Sequence, residues 1–94
     1  MSRLVSDFPG AIKALSEALA IYREIDDTPG QANALNHLGK ARQMTDDLPG
    51  ATRDLEEALA LSRDVDDRLG QAAALINLGS LRRLITDYPG AVRA

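Results

Sequence analysis

The chain has no cysteine and no tryptophan, a single histidine, and only one Phe and two Tyr. Without cysteine there is no disulfide, no thiolate metal ligand and no cysteine nucleophile. With aromatics at 3% and apolar residues at 45%, a core has to be built from Ala and Leu. That suits closely packed helices better than stacked sheets. Charge of one sign is also lacking: 11 basic and 14 acidic residues are interspersed, for a net charge of −3. Nothing here resembles the basic footprint of a nucleic-acid binder. No apolar run approaches a membrane span, and the N-terminus lacks a basic segment followed by an apolar stretch. These absences predict a soluble, cytoplasmic chain whose partners are neither nucleic acid nor membrane. At 94 residues it makes one small domain or a piece of a larger protein. Arg outnumbers Lys nine to two, a codon-level hint of a bacterial genome and no argument about chemistry.

What is present is a repeat. "DLPGA" at 47–51 is preceded forty residues earlier by "DFPGA" and followed forty residues later by "DYPGA". Superposing residues 1–40 on 41–80 matches 19 of 40 positions, and the matches cluster. They include Asp7/Asp47, Leu15/Leu55, Gly30-Gln31-Ala32/Gly70-Gln71-Ala72 and Leu38-Gly39/Leu78-Gly79. A period between about 20 and 50 residues marks a stacked-repeat architecture. A second punctuation, "DDTPGQ" (26–31) and "DDRLGQ" (66–71), halves each period.

Each half carries a helical stripe. Ala11, Leu15, Ala18, Leu19, Tyr22 and Ile25 recur at steps of three and four, as do Ala32, Leu35, Leu38, Ala41 and Met44. Pro is tolerated only in a helix's first turn, and an Asp just before it can cap free backbone N–H groups. Each Asp-apolar-Pro-Gly-Ala therefore ends one helix and starts the next, with Phe8, Leu48 and Tyr88 tucked under the turn. Helices are predicted near 9–25, 29–45, 49–65 and 69–86. Gly39 and Gly79 interrupt helices at a cost of about 1 kcal/mol against Ala. They make sense where another helix crosses closely, with Ala11, Ala18, Ala51 and Ala58 as facing residues.

These residues resemble the tetratricopeptide repeat in a longer, forty-residue form. Leu35, Leu38 and Gly39 match that family's first helix, and Ala51, Leu55 and Ala58 its second. Leu75, Leu78 and Gly79 repeat the first set, while Ala11, Leu15 and Ala18 supply the second set of an earlier unit. Two positions depart, since Leu35/Leu75 and Arg42/Arg82 stand where the family often has aromatics. "PGA" and "GQANALNHLG" resemble in particular arrays attached to bacterial regulators and signalling NTPases. The resemblance implies an all-α fold of tandem antiparallel helical hairpins, an α-solenoid of about two repeats with truncated units at both ends. Residues 1–94 form one domain in this reading, with a partial unit at 1–26, a repeat at 27–66 and a partial repeat at 67–94. A right-handed superhelical tendency is expected.

The resemblance further implies that first helices line a concave groove receiving an extended peptide or partner helix. Positions carried over give Asn33, Asn36, His37, Lys40, Gln43 and Met44 in one unit. The next unit supplies Ala73, Ile76, Asn77, Ser80, Arg83 and Leu84. The peptide-binding set is Asn33, Asn36, His37, Lys40, Asn77, Ser80 and Arg83, Asn being suited because its amide donates to and accepts from a peptide backbone. The alternative is that these side chains are merely solvated. Lys40, Asn36, Asn77 and Arg83 imitate the family's clamp for C-terminal carboxylates only in part, so that ligand is not predicted.

Stacked repeats hide their apolar faces only against neighbours. The end faces would carry Leu4, Val5, Leu81, Leu84 and Ile85, so the chain is a stretch of a longer array or a homo-oligomer that self-associates through uncapped ends. His37 has no companion set for catalysis or metal binding, and no HExxH, GxSxG or Walker-type motif occurs. The paired aspartates at 26–27, 46–47 and 66–67 lack the alternation of a calcium loop and fall where helix capping accounts for them. The sequence thus predicts a protein-binding module, with structural self-assembly as the alternative, and no catalysis, metal or cofactor.

Overall fold

Three short turns, 25–27, 45–47 and 65–67, set the architecture. The structure, a computed structural model, describes residues 7–87, and in it four helices follow one another: α1 (Phe8–Glu24), α2 (Thr28–Met44), α3 (Leu48–Asp64) and α4 (Arg68–Asp87). The first three have 17 residues each, and two helices with their three-residue turns make up the forty-residue period. They begin one residue before the positions expected from the sequence. Leu4, Val5 and Tyr88 lie outside the described residues.

The paired aspartates have two different jobs. Asp26, Asp46 and Asp66 take the left-handed conformation, with φ of 58°, 66° and 55°, where short polar side chains cost less than other non-glycine residues. The backbone then curls back. After α2, the Asp46 N–H donates to the Gln43 carbonyl at 3.1 Å and the Asp47 N–H to the Arg42 carbonyl at 2.8 Å. That paired return closes the helix C-terminus. The second aspartate caps the next helix: Asp27, Asp47 and Asp67 accept from the N–H groups of Gly30, Gly50 and Gly70 at 3.0 Å, and Asp7 accepts likewise from Gly10. A Cβ at Gly50 would fall 2.7 Å from the Asp47 carboxyl carbon, so that glycine leaves room for its cap, whereas a Cβ at Gly30 would meet the Tyr22 ring.

Packing centres on α2, which touches all three other helices, whereas α1 and α3 are not in direct backbone contact. One core cluster joins Leu19 of α1, Ala34, Leu35 and Leu38 of α2, Ala58 of α3 and Ala74 of α4. A second joins Ala51 and Leu55 of α3 to Leu81 of α4. Each fully buried leucine contributes about 2 kcal/mol of hydrophobic stabilisation. Gly39 lies at the α2–α3 crossing, where a Cβ would sit 2.6 Å from Leu55 Cγ and 3.3 Å from the Ala51 carbonyl oxygen. The close-approach expectation holds there. At Gly79, which is exposed, no described residue comes within 4 Å of the Cβ position.

Arg42, which departs from the family pattern, ties α2 to α3. Its Nε donates to Asp54 Oδ2 at 2.7 Å and a terminal nitrogen reaches Asp47 Oδ2 at 3.5 Å. Leu81 is a correction: expected on an exposed end face, it is only 2% exposed. Ala74 and Leu81 stand two turns apart on one side of α4 and meet α3 there. Leu84 and Ile85 are half-buried, and Ile85 packs against the Ala51–Leu55–Leu81 cluster. The large apolar residues of α4 left in solvent are instead Leu69, Leu75 and Ile76.

Candidate functional site

Steps of three and four on α2 put Pro29, Asn33, Asn36, His37 and Lys40 along one side of the helix. On α4 the same stepping aligns Leu69, Ala73 and Asn77. The two rows, with Asp67 and Gly70, line a groove of about 510 Å3 between the helices. Five of the seven residues expected to contact a peptide, Asn33, Asn36, His37, Lys40 and Asn77, therefore share one cleft. Ser80 and Arg83 are exposed further along α4 and do not line it. Met44 is exposed at the end of α2, and Gln43 is half-buried with its Oε1 unpartnered.

The two walls differ in chemistry. The α2 wall is polar and carries the Lys40 ammonium. The α4 wall is apolar in its first two turns, where Leu69 is 84% exposed, the most exposed large apolar residue among those described. Asp67 brings a carboxylate to the same end, but one of its oxygens is engaged by the Gly70 N–H at 3.0 Å.

Asn36 is the unusual member. The residue is 6% exposed, and its Oδ1 is buried without a hydrogen-bond partner. Leaving such an acceptor unpaired costs about 1–3 kcal/mol. Burial follows from the stacking: α4 lies over this part of α2, whereas the equivalent residue on α4, Ile76, is 68% exposed with no further helix over it among the described residues. His37 turns back on its own helix. Its Nδ1 is 2.9 Å from the Asn33 carbonyl oxygen; since a carbonyl only accepts, Nδ1 donates, and in the neutral ring Nε2 is left as an acceptor. Among the described residues no three His, Asp or Glu side chains are grouped to hold a metal ion.

Sequence reasoning missed Pro29, Leu69, Asp67 and Gly70 as lining residues. Leu69 was legible as the next step of four before Ala73. Asp67 and Gly70 were read only as a turn, and nothing in the repeat says that this turn stands beside the start of α2. A second, smaller cleft of about 230 Å3 between α3 and α4 is lined by Thr52, Glu56, Leu78, Leu81, Arg82 and Ile85. No helix among the described residues is long and apolar enough to cross a membrane.

A family model for the tetratricopeptide repeat matches residues 3–64. No curated protein matches the chain.

Proposed function

Because the chain belongs to the tetratricopeptide repeat family, a non-catalytic fold whose members are generally protein–protein interaction modules, we propose that it binds an extended peptide or partner helix in the α2–α4 groove. The observation that supports this most is the gathering of Asn33, Asn36, His37, Lys40 and Asn77 along one cleft beside Leu69 and Ala73. The buried Oδ1 of Asn36 takes a peptide N–H only when its side chain turns toward the cleft, where the bond gains from the low local dielectric. Leu69 and Ala73 offer an apolar patch to a side chain of the same ligand, and Asn77 and Lys40 offer donors for its carbonyl groups. The partner in this reading is a protein, met in the cytoplasm, with no chemistry performed on it and no cofactor needed. A net charge of −3 and a groove holding one lysine argue against a nucleic-acid ligand.

The test begins with peptides selected from a displayed library against the whole chain. Their binding is then measured calorimetrically to the parent and to Asn77→Ala, Lys40→Ala and Lys13→Ala, the last an exposed control on α1. The first two substitutions should weaken binding about tenfold or more, as truncating a contact worth about 1.4 kcal/mol does, and Lys13→Ala should not. Peptides that bind the groove variants as tightly as the parent would refute this reading.

A further inference from the structure

We propose that the face of α4 around Gly79 receives helix α1 of a second copy of this chain, head to tail, as α2 receives α3 within one chain. The contact is separate from the α2–α4 groove.

The internal α2–α3 contact is the template. On α2, Leu35 and Leu38 are buried, and Gly39 lets Leu55 and the Ala51 carbonyl approach. On α3, Ala51, Leu55 and Ala58 are fully buried. Both halves occur again, identical in residue type and register. The receiving half is Leu75, Leu78 and Gly79 on α4; the inserting half is Ala11, Leu15 and Ala18 on α1. Neither has the cover of its counterpart. Leu75 is 51% exposed where Leu35 is 1% exposed, and Gly79 and Ala11 are exposed. Leu15 and Ala18 are half-buried where Leu55 and Ala58 are fully buried. Within the described residues this interface is built once, and its two complementary surfaces are displayed a second time on α1 and α4.

Charge agrees with the pairing. In the template, Arg42 of α2 reaches the cap of α3, Asp47, at 3.5 Å. Arg82, exposed on α4, corresponds to Arg42; its own chain places Asp87 at the spacing of Asp47, and in the docked copy Asp7, the cap of α1, takes that place. One feature is not reproduced: Ala14 stands where Asp54 does, so the 2.7 Å Arg42–Asp54 pair has no equivalent. The contact between chains is correspondingly weaker than the internal one. Because two different surfaces meet, the contact is heterologous and each addition presents a fresh receiving face, so growth is open rather than stopping at a dimer.

The competing occupant is the chain's own residues 87–94, "DYPGAVRA", which repeat the register of "DLPGATRD" at 47–54. Sedimentation over a concentration series separates the two. The full chain should show a mass that rises with concentration beyond one chain of 10.1 kDa. Gly79→Arg meets no described residue within 4 Å and Ala11→Arg falls at an exposed position, so both should fold, as circular dichroism would verify, and each alone should associate at least about tenfold more weakly. Leu75→Glu repeats the test on the same α4 face. Mixed in equal amounts, Gly79→Arg and Ala11→Arg should recover one interface and stop at two chains. A parent chain that stays single at every concentration would overturn the proposal. So would single variants that associate like the parent, or a mixture that does not pair.

Discussion

Gly39 and Gly79 occupy the same register of the repeat, yet alanine should act on them with opposite signs. In a helix interior, glycine to alanine gains about 1 kcal/mol from backbone entropy and solvation. At Gly79 that gain is realised, because no atom of the described residues lies within 4 Å of the new methyl. At Gly39 the methyl would sit 2.6 Å from Leu55 Cγ and Cδ2, against about 3.5–4.0 Å for an ordinary carbon contact. Leu55 is fully buried and has nowhere to swing, so the helices must part by several tenths of an ångström. Overpacking of this kind costs about 1–3 kcal/mol, which outweighs the propensity gain. The two variants should therefore differ by about 2 kcal/mol, or on the order of 10 °C in Tm for a domain of this size. Thermal and urea unfolding followed by circular dichroism, at a concentration where the chain is single, reads both shifts. If both variants gain stability equally, Leu55 yields freely and helix crossing is not why glycine stands at 39. If both lose it, another segment of the chain covers α4.

The Arg42–Asp54 pair should matter far more than its neighbours. Arg42→Ala leaves a carboxylate that is 7% exposed without its 2.7 Å partner, at a cost of about 2–3 kcal/mol. Arg53→Ala removes a 3.6 Å contact from a largely exposed side chain and should cost under about 0.5 kcal/mol; equal urea midpoints for the two would contradict the assignment. At the turn, Asp47→Ala should lose about 1 kcal/mol with the α3 cap, while Asp46→Gly should gain about 0.5 kcal/mol by relieving a φ of 66°. A loss of Tm in Asp46→Gly would mean that its side chain supports the turn in a way the backbone does not record.

The helices and their ends were legible in the sequence because they rest on contacts within a few residues. Asp47 caps Gly50 three positions away, and the stripe Leu35–Leu38 repeats at helical spacing whatever lies opposite. The fold class followed, since identical hairpins with one apolar side have little choice but to stack. Much of the groove followed as well: Asn33, Asn36, His37 and Lys40 share a helix side by spacing alone. What tertiary structure decided was which of two identical residues has a neighbour. Leu35 and Leu75, or Gly39 and Gly79, carry the same local signal and differ, among the described residues, only in whether a helix lies over them. Leu81 was misplaced for the converse reason, since it faces back toward α3 rather than out from the end of the array. Asp67 and Gly70 entered the groove because the turn before α4 lands beside the start of α2, and Arg42 found Asp54 twelve residues away across a helix crossing. Local patterns specify how each helix is made, but burial and pairing belong to the space between helices, and a repeated sequence describes that space identically in places where it is not.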